Sequence, residues 1–547
     1  MSAFSSLRRL LFASLLVQNA LCISVTVPVA APSTAPKISQ SLVSFSIEQD
    51  RWTDWSGTTS RNQFFFNTLD NLRQLTGIPP QIRIGADSED RTNFNPNVQF
   101  SQDVFPAPST VTPYPEASTV VVGDGFYQAV QFLPPNTHVI WGVNFGKNNL
   151  TAAFLEAKSI VKAFASSAVK AAGITLDFIE IGNEADLYKN NGDRASSYSV
   201  SQYVPEFVFS FFFMKVYVTY DVRLGRWVTF ATNVSAAAGI SKTSSTKFWG
   251  GAFAGSSHST TGFSPQGIFA NNILTSAPGS LIGTISQHHY SGSFCSGDGG
   301  LLQDLMTKST IRGNLSQYSP DITAVRAKGL DYVFGETNSY SCHGAPGVSN
   351  TAGAALWTLD YALFAAQIGI SRVFFHEGVG YKYDLIQPAT LTRSTIDGSN
   401  LTAPLPPHVQ PQYYGAIIAG EAIGSSGSTS AVELTINSTI VSGYAFYEGS
   451  KLARAVLINS QAFLSTATTA RASVHIDFSF SGSGAPKTMT IKRLAIGHAD
   501  DTAGLSWGGQ TFETGDARPS GSVKTTTANV SSGVDIQETE VVLLSFQ

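Results

Sequence analysis

"TAAFLEAKSIVKAFASSAVKAAGITLDFIEIGNEADLY" occupies residues 151–188. In its first half Phe154, Leu155, Ile160, Val161, Phe164 and Val169 recur on one helical stripe. Leu176–Gly182 then forms a short apolar and β-branched run that ends in the polar pair Asn183-Glu184, as a buried strand would. The same unit recurs from about residue 41 to residue 377. Its strand-like runs are Leu42–Glu48, Gln81–Gly85, His138–Phe145, Leu176–Gly182, Lys247–Ala254, Leu281–Tyr290, Leu330–Glu336 and Arg372–Glu377. Strand–helix alternation implies parallel pairing through right-handed crossovers. Eight such units predict an α/β chain closed into a (β/α)8 TIM barrel over residues 41–425. An open doubly wound sheet fits less well, because no Gly-rich phosphate loop follows the first run.

Beyond about residue 425 helices give way to short alternating stretches, among them Val432–Ile436, Ala453–Leu457, Val474–Phe480, Met489–Leu494 and Val541–Phe546. Residues 426–547 are therefore expected to form an antiparallel β-sandwich, with residues 23–40 adding an N-terminal strand to it. One segment breaks the pattern. Phe207–Trp227 is densely aromatic without helical or strand period, where the fourth barrel helix should run. A buried apolar helix is the plain reading. We read roughly Phe209–Arg226 as a translated retained intron, an expectation that sequencing the spliced transcript tests.

Only 13% of the residues are charged, against roughly 25% in an average soluble protein. Net charge is −4 without basic blocks, which argues against nucleic acid as a partner. Arg8 and Arg9, the apolar Leu10–Val17, and Ala20 and Cys22 before a cut at Ile23 read as a secretory signal peptide over residues 1–22. That apolar stretch is too short to span a bilayer. The expectation is a secreted, extracellular protein without a membrane partner, glycosylated at the sequons of Asn149, Asn233, Asn314, Asn400, Asn437 and Asn529. Cys295 and Cys342 remain after signal removal, and an even pair in an oxidising compartment predicts a disulfide, with two buried thiols as the alternative. It would join the loops after the sixth and seventh strands.

Functional side chains of such barrels stand at the C-terminal strand ends. Here those positions hold Glu48, Asp87, Asn144, Asn183, Glu184, His288, His289, Tyr290, Glu336, His376 and Glu377. Glutamates at the tips of the fourth and seventh strands suit glycoside hydrolysis, where one carboxyl protonates the leaving oxygen and the other attacks or activates water. Asn183 is a candidate donor to a sugar 2-OH, and Tyr290 a candidate donor to Glu336. The three histidines lack metal-ligand spacing, so neither metal nor cofactor is expected.

"EIGNEADLY" (180–188) and "FGETNSYSCHG" (334–344) resemble the acid/base and nucleophile segments of clan A retaining glycosidases. With "SFSIEQD" (44–50), "RIGADSEDRT" (83–92), "QHHYSG" (287–292), "HEGVGYKYDLIQP" (376–388) and the β-rich tail, the chain is most similar to glycoside hydrolase family 79, the β-glucuronidase and heparanase family. The resemblance implies Glu184 as acid/base, Glu336 as nucleophile, Tyr290 beside the nucleophile and Glu48 on sugar hydroxyls. It also implies Tyr340 and the Gly344 main chain as the grip on a glucuronate carboxylate. Heparanase-like members carry a tyrosine followed by glycines there, whereas this chain reads Ser339-Tyr340-Ser341-Cys342-His343-Gly344. Ala185 stands where a proline is common. The activity implied is a retaining exo-β-glucuronidase acting on glycans that carry β-linked glucuronic acid or its 4-O-methyl ether. The alternatives are a clan A β-glucosidase or β-xylosidase for neutral sugars, and an inactive carbohydrate-binding relative.

Overall fold

The computed structural model describes residues 21–204 and 226–547. The expected insert at Phe209–Arg226 lies outside them except for Arg226, which precedes the helix Trp227–Ala238. Eight parallel strands close a barrel, in chain order Val43–Glu48, Ile82–Gly85, His138–Val143, Thr175–Ile181, Lys247–Phe253, Ile282–Ser293, Asp331–Ser341 and Val373–Glu377. Each falls on one of the eight runs read from the sequence. The last strand returns to the first in register, Val373 beside Val43 and Glu377 beside Ile47, so no edge is left.

Inside the barrel the side chains change character with height. Ile140, Trp249, Val333 and Phe374 form a separate apolar plug, with Phe178 packed on it. One inward repeat higher, two residues along each strand, Phe178 gives way to Glu180, Phe374 to His376 and Ile140 to Gly142. Gly142 is small for a reason: a Cβ there would collide with the buried Glu89 carboxylate. The charged layer thus begins directly above the plug.

Helix Gln412–Ile423 precedes the strand Thr429–Glu433, where a mainly antiparallel sheet begins: Thr429–Glu433, Val441–Glu448, Lys451–Asn459, Glu540–Phe546, Thr488–Ala495 and Ser506–Trp507. A three-stranded sheet faces it. There Leu21–Pro28 pairs parallel with Ser473–Ser481, which pairs antiparallel with Val534–Gln537. The N-terminal strand therefore joins the sandwich as expected, but makes its smaller sheet mixed. Val25, Val27, Leu457, Ile476 and Leu544 are among its fully buried core.

An excursion between the second and third barrel strands was not foreseen. Thr92–Phe94, Ser101–Val104 and Thr119–Val122 form a small sheet, and the loop between the last two carries Glu116 to the mouth of the barrel. Among the described residues no helix is long and apolar enough to cross a membrane.

Candidate active site

Glu184 follows the fourth strand in a left-handed conformation, φ 47°, fixed by its N–H donating to Ala252 O at 2.8 Å. Strain of this kind persists where surrounding structure over-determines it, and collects at functional sites. Glu336 projects from the seventh strand. Oxygens of the two carboxylates and His288 Nδ1 all lie within 4.8 Å of one another.

The two acids are held in opposite protonation states. Burial pushes Glu184 well above the carboxylate range, and the charges of Glu336, Asp87 and Asp186 add to it. Burial also opposes the charge on Glu336, but His376, Arg83 and the Tyr290 hydroxyl outweigh it and hold that carboxyl far down. Burial pushes His288 down to about 3, so at mildly acidic pH the cations facing Glu336 are Arg83 and His376. Tyr290 OH donates to Glu336 Oε1 at 2.8 Å and Arg83 Nη1 to Oε2 at 2.8 Å. Neutral His288 shares a hydrogen bond with Glu184, Nδ1 lying 3.0 Å from Oε1.

Arg83, on the second strand, is fully buried and was not singled out in the sequence. Its guanidinium joins Glu336 to Ser46 Oγ (2.9 Å), Glu180 Oε1 (2.8 Å from Nε) and Asn183 Oδ1 (2.8 Å). Four strand ends share this cation, and its charge is locked by Glu180, Glu336 and Glu89 despite burial. His376 is the second such group. Burial lowers it, yet Glu336 and Glu48 raise it to about 9, with Nε2 3.3 Å from Glu48 Oε2 and Nδ1 4.0 Å from Glu336 Oε2.

The remaining expected residues divide. Glu48 Oε1 accepts from Ser88 N at 2.8 Å and from the Ser88 hydroxyl. Asn183 Nδ2 donates to Asp87 Oδ1 at 3.0 Å. Asp87 is the most open of this group, its side chain 45% exposed; its surroundings and the Glu48 and Glu116 charges push it up to about 7. His289 bonds Tyr361 OH at 2.8 Å, away from the acids, and Glu377 accepts from the Leu385 and Ile386 amides.

Tyr340 and Gly344 are not brought to the carboxylate pair. Tyr340 lies two inward repeats beyond Glu336 on the same strand and packs over Gly292, its hydroxyl bonded to the Gly300 main chain. The Gly344 amide is spent on Tyr340 O at 3.1 Å. The reason is a turn: Cys342, His343 and Gly344 all have positive φ (60°, 68° and 86°). That turn leaves the Cys342 and His343 main-chain N–H groups without an acceptor among the described residues. Cys295 and Cys342 form the disulfide that pins it.

Of the sequons, Asn400, Asn437 and Asn529 are exposed, whereas Asn149, Asn233 and Asn314 are half-buried on helices or at a helix start. Asn149 caps its helix, accepting from Ala152 N, and donates to Asn93.

Glu184, His288 and Glu336 are the one cluster among the described residues with ligand atoms near enough to invite a cation. Both Glu336 oxygens, however, already accept from Arg83 and Tyr290, so a cation would compete with a guanidinium.

A closed (β/α)8 barrel with one protonated and one ionised glutamate facing each other at its C-terminal mouth is the arrangement of a glycoside hydrolase. Residues 443–543 match the model of the glycosyl hydrolase family 79 C-terminal β domain. A β-glucuronidase of Neurospora crassa is 28% identical over 530 residues, covering 89% of this chain and 87% of the relative. One of Aspergillus niger is 27% identical over 508 residues, covering 89% and 86%. The solved 4-O-α-L-rhamnosyl-β-D-glucuronidase of Fusarium oxysporum superposes with TM-score 0.73 at 23% identity, over 95% of this chain and 100% of that one. A family 51 arabinofuranosidase of Bifidobacterium longum shares the fold at TM-score 0.55 and 15% identity. Residues 443–543 thus carry the likeness to the family 79 C-terminal β domain, and the chain as a whole is similar to fungal β-glucuronidases.

Proposed function

We propose that the protein is a secreted retaining exo-β-glucuronidase that removes terminal β-linked glucuronic acid, or its 4-O-methyl ether, from glycans. The observation that carries the reaction is the pair itself: one glutamate held protonated, the other ionised, with oxygens within 4.8 Å. Retaining enzymes place their carboxyls about 5–5.5 Å apart, inverting ones about 6.5–9.5 Å.

Glu336 attacks the anomeric carbon while Glu184 gives its proton to the glycosidic oxygen, so the aglycone leaves as an alcohol and the sugar becomes an ester of Glu336. Esterification removes the Glu336 charge that had helped keep Glu184 protonated. Its pKa falls, and Glu184 can take a proton from water as that water attacks the same carbon. Sugar with the original β configuration departs and both glutamates are restored. Asn183, fixed between Arg83 and Asp87, stands beside the acid to bond the 2-OH, and Glu48 accepts from sugar hydroxyls.

Three things support glucuronate as the sugar. The two fungal relatives carry the name β-glucuronidase. The Cys342 and His343 amides have no acceptor among the described residues, so we assign them as donors to the sugar carboxylate in place of the grip expected from Tyr340 and Gly344. Lysine and arginine, 34 in 547 residues, are too few to line a groove for a long polyanion, which favours exo action. One observation favours neutral sugars: Glu48, Asp87 and Glu116 interact electrostatically in the same cleft. The exposed sequons Asn400, Asn437 and Asn529 are the acceptors we assign to a secreted glycoprotein.

Hydrolysis of nitrophenyl β-glucuronide, β-glucoside, β-xyloside and β-galactoside at mildly acidic pH, with the product anomer followed by proton NMR, tests the proposal. Preferred cleavage of the glucuronide with β product appearing first is expected. Preference for a neutral sugar, or initial α product, would overturn it.

A further inference from the structure

Three successive left-handed residues at Cys342, His343 and Gly344 are costly, since only one is glycine. What holds them is specific. Cys342 is tied to Cys295. His343 O accepts from Lys382 N at 2.7 Å. Gly344 has no room for a side chain: a Cβ would lie 2.9 Å from both Ser349 Cβ and Tyr383 N. The residue presented by all this is His343. Its ring stacks on Tyr381 at 3.7 Å and 15°, and its Nε2 lies 2.6 Å from Glu116 Oε1. Its Nδ1 is buried without a hydrogen-bond partner among the described residues. A buried polar atom left unpaired costs about 1–3 kcal/mol unless a ligand satisfies it.

Ring contacts run from His343 to the reacting pair. Tyr381 meets Tyr383 at 5.6 Å and His376 at 5.9 Å. Tyr383 meets Tyr290 at 6.0 Å, and Tyr290 donates to Glu336. Glu116, from the excursion after the second strand, acts electrostatically on Asp87, Tyr381 and Tyr383. An uncompensated Glu116 there would repel an anionic sugar. Two other cations lie nearby: Arg91 acts electrostatically on Glu116 and Asp87, with Nη2 3.7 Å from Asp87 Oδ2, and Lys382 is fully buried, with Nζ 3.3 Å from Val111 O and 5.3 Å over the Phe294 ring.

Resting on the β-glucuronidase reading, we infer that His343, oriented by Glu116, is the specificity-determining residue for the anionic sugar. With both ring nitrogens donating, Nε2 to Glu116 and Nδ1 to the ligand, the imidazole bridges two carboxylates. The Cys342 and His343 amides complete the donor set. Glu116 is thereby a positioning residue, and the same pairing cancels the charge that would otherwise favour neutral sugars.

The test compares kcat/KM for nitrophenyl β-glucuronide and β-glucoside in the full-length enzyme and in His343→Gly and Glu116→Gln. Glycine adopts the left-handed turn freely, so the first variant removes the ring without loading the backbone. The glucuronide-to-glucoside ratio is expected to fall on the order of tenfold in each, the loss of one hydrogen bond to a charged group, mainly through KM. Titration of the Glu184→Gln enzyme with free glucuronate and with glucose, with and without His343→Gly, gives a second readout: glucuronate affinity falls and glucose affinity changes less. A ratio and a glucuronate affinity unchanged in the variants overturn the role of His343 and leave the proposed activity standing. A wild-type enzyme that prefers the glucoside overturns both.

Discussion

The barrel and the sandwich solve the problem of burial in opposite ways. The sandwich encloses an apolar interior, with Val25, Val27, Leu457, Ile476 and Leu544 wholly buried. The upper barrel buries Glu48, Arg83, Glu89, Glu180, Glu336 and His376. Placing charge there costs several kcal/mol per ion unless each is paired. The barrel meets the cost with one shared guanidinium and one shared imidazolium. What it gains is a fixed difference in proton affinity between two glutamates.

Four measurements test that contrast. Glu336→Gln and Glu184→Gln are each expected to lower kcat/KM by about 10⁴-fold or more with little change in Tm; retained activity in either would mean the pair is structural. Arg83→Met should cost about 3–5 kcal/mol of stability, because it strands buried carboxylates. It should also move the acid limb of the pH–rate profile upward, since Glu336 loses a cation that holds its pKa down. An unmoved limb would assign that role to His376. Leu457→Ala in the sandwich should cost about 2–5 kcal/mol in denaturant unfolding and leave kcat per folded molecule unchanged. A matching loss of kcat would show that the two interiors are coupled.

The smallest effect is the pH dependence of Tm. Asp90 is buried and pushed up to about 6, from an ordinary 3.8, by burial that its hydrogen bonds only partly offset. A raised carboxyl pKa stabilises the fold most below the unfolded value and loses that stability as pH rises through the folded one. At about 1.4 kcal/mol per unit, Asp90 alone should lower Tm by a few degrees between pH 4 and 7. Glu184 and Asp87 shift the same way. Glu336, held low, loses its contribution only in acid. A Tm that rises steadily from pH 5 to 8 would contradict the assignment.

The eight strands were legible because buried parallel strands read as short apolar runs, and the acids were legible because such runs end where chemistry sits. Arg83 was missed although "QIRIG" signals it: a charge in an otherwise apolar strand must face inward and find partners. His376 carries the same signal and stands among the strand-end candidates. Glu116 had none, because it lies in a proline-rich loop whose approach to His343 is set by a small sheet with no long hydrophobic period. At Tyr340 and Gly344 the backbone conformation was not legible, and it turns the Gly344 amide onto Tyr340 O. Glycine announces a left-handed turn, but nothing in the letters Cys-His announces that they share it.

The strand Leu21–Pro28 pairs along its length with Ser473–Ser481. During synthesis at about 5–20 residues per second, the first of these waits tens of seconds for its partner to emerge. The barrel lies wholly between them in the chain and can close first, while the sandwich stays open until the last strands arrive. Completion of the sandwich is therefore a report on the length of the polypeptide: a chain broken off before residue 473 can own a barrel but never a clasp.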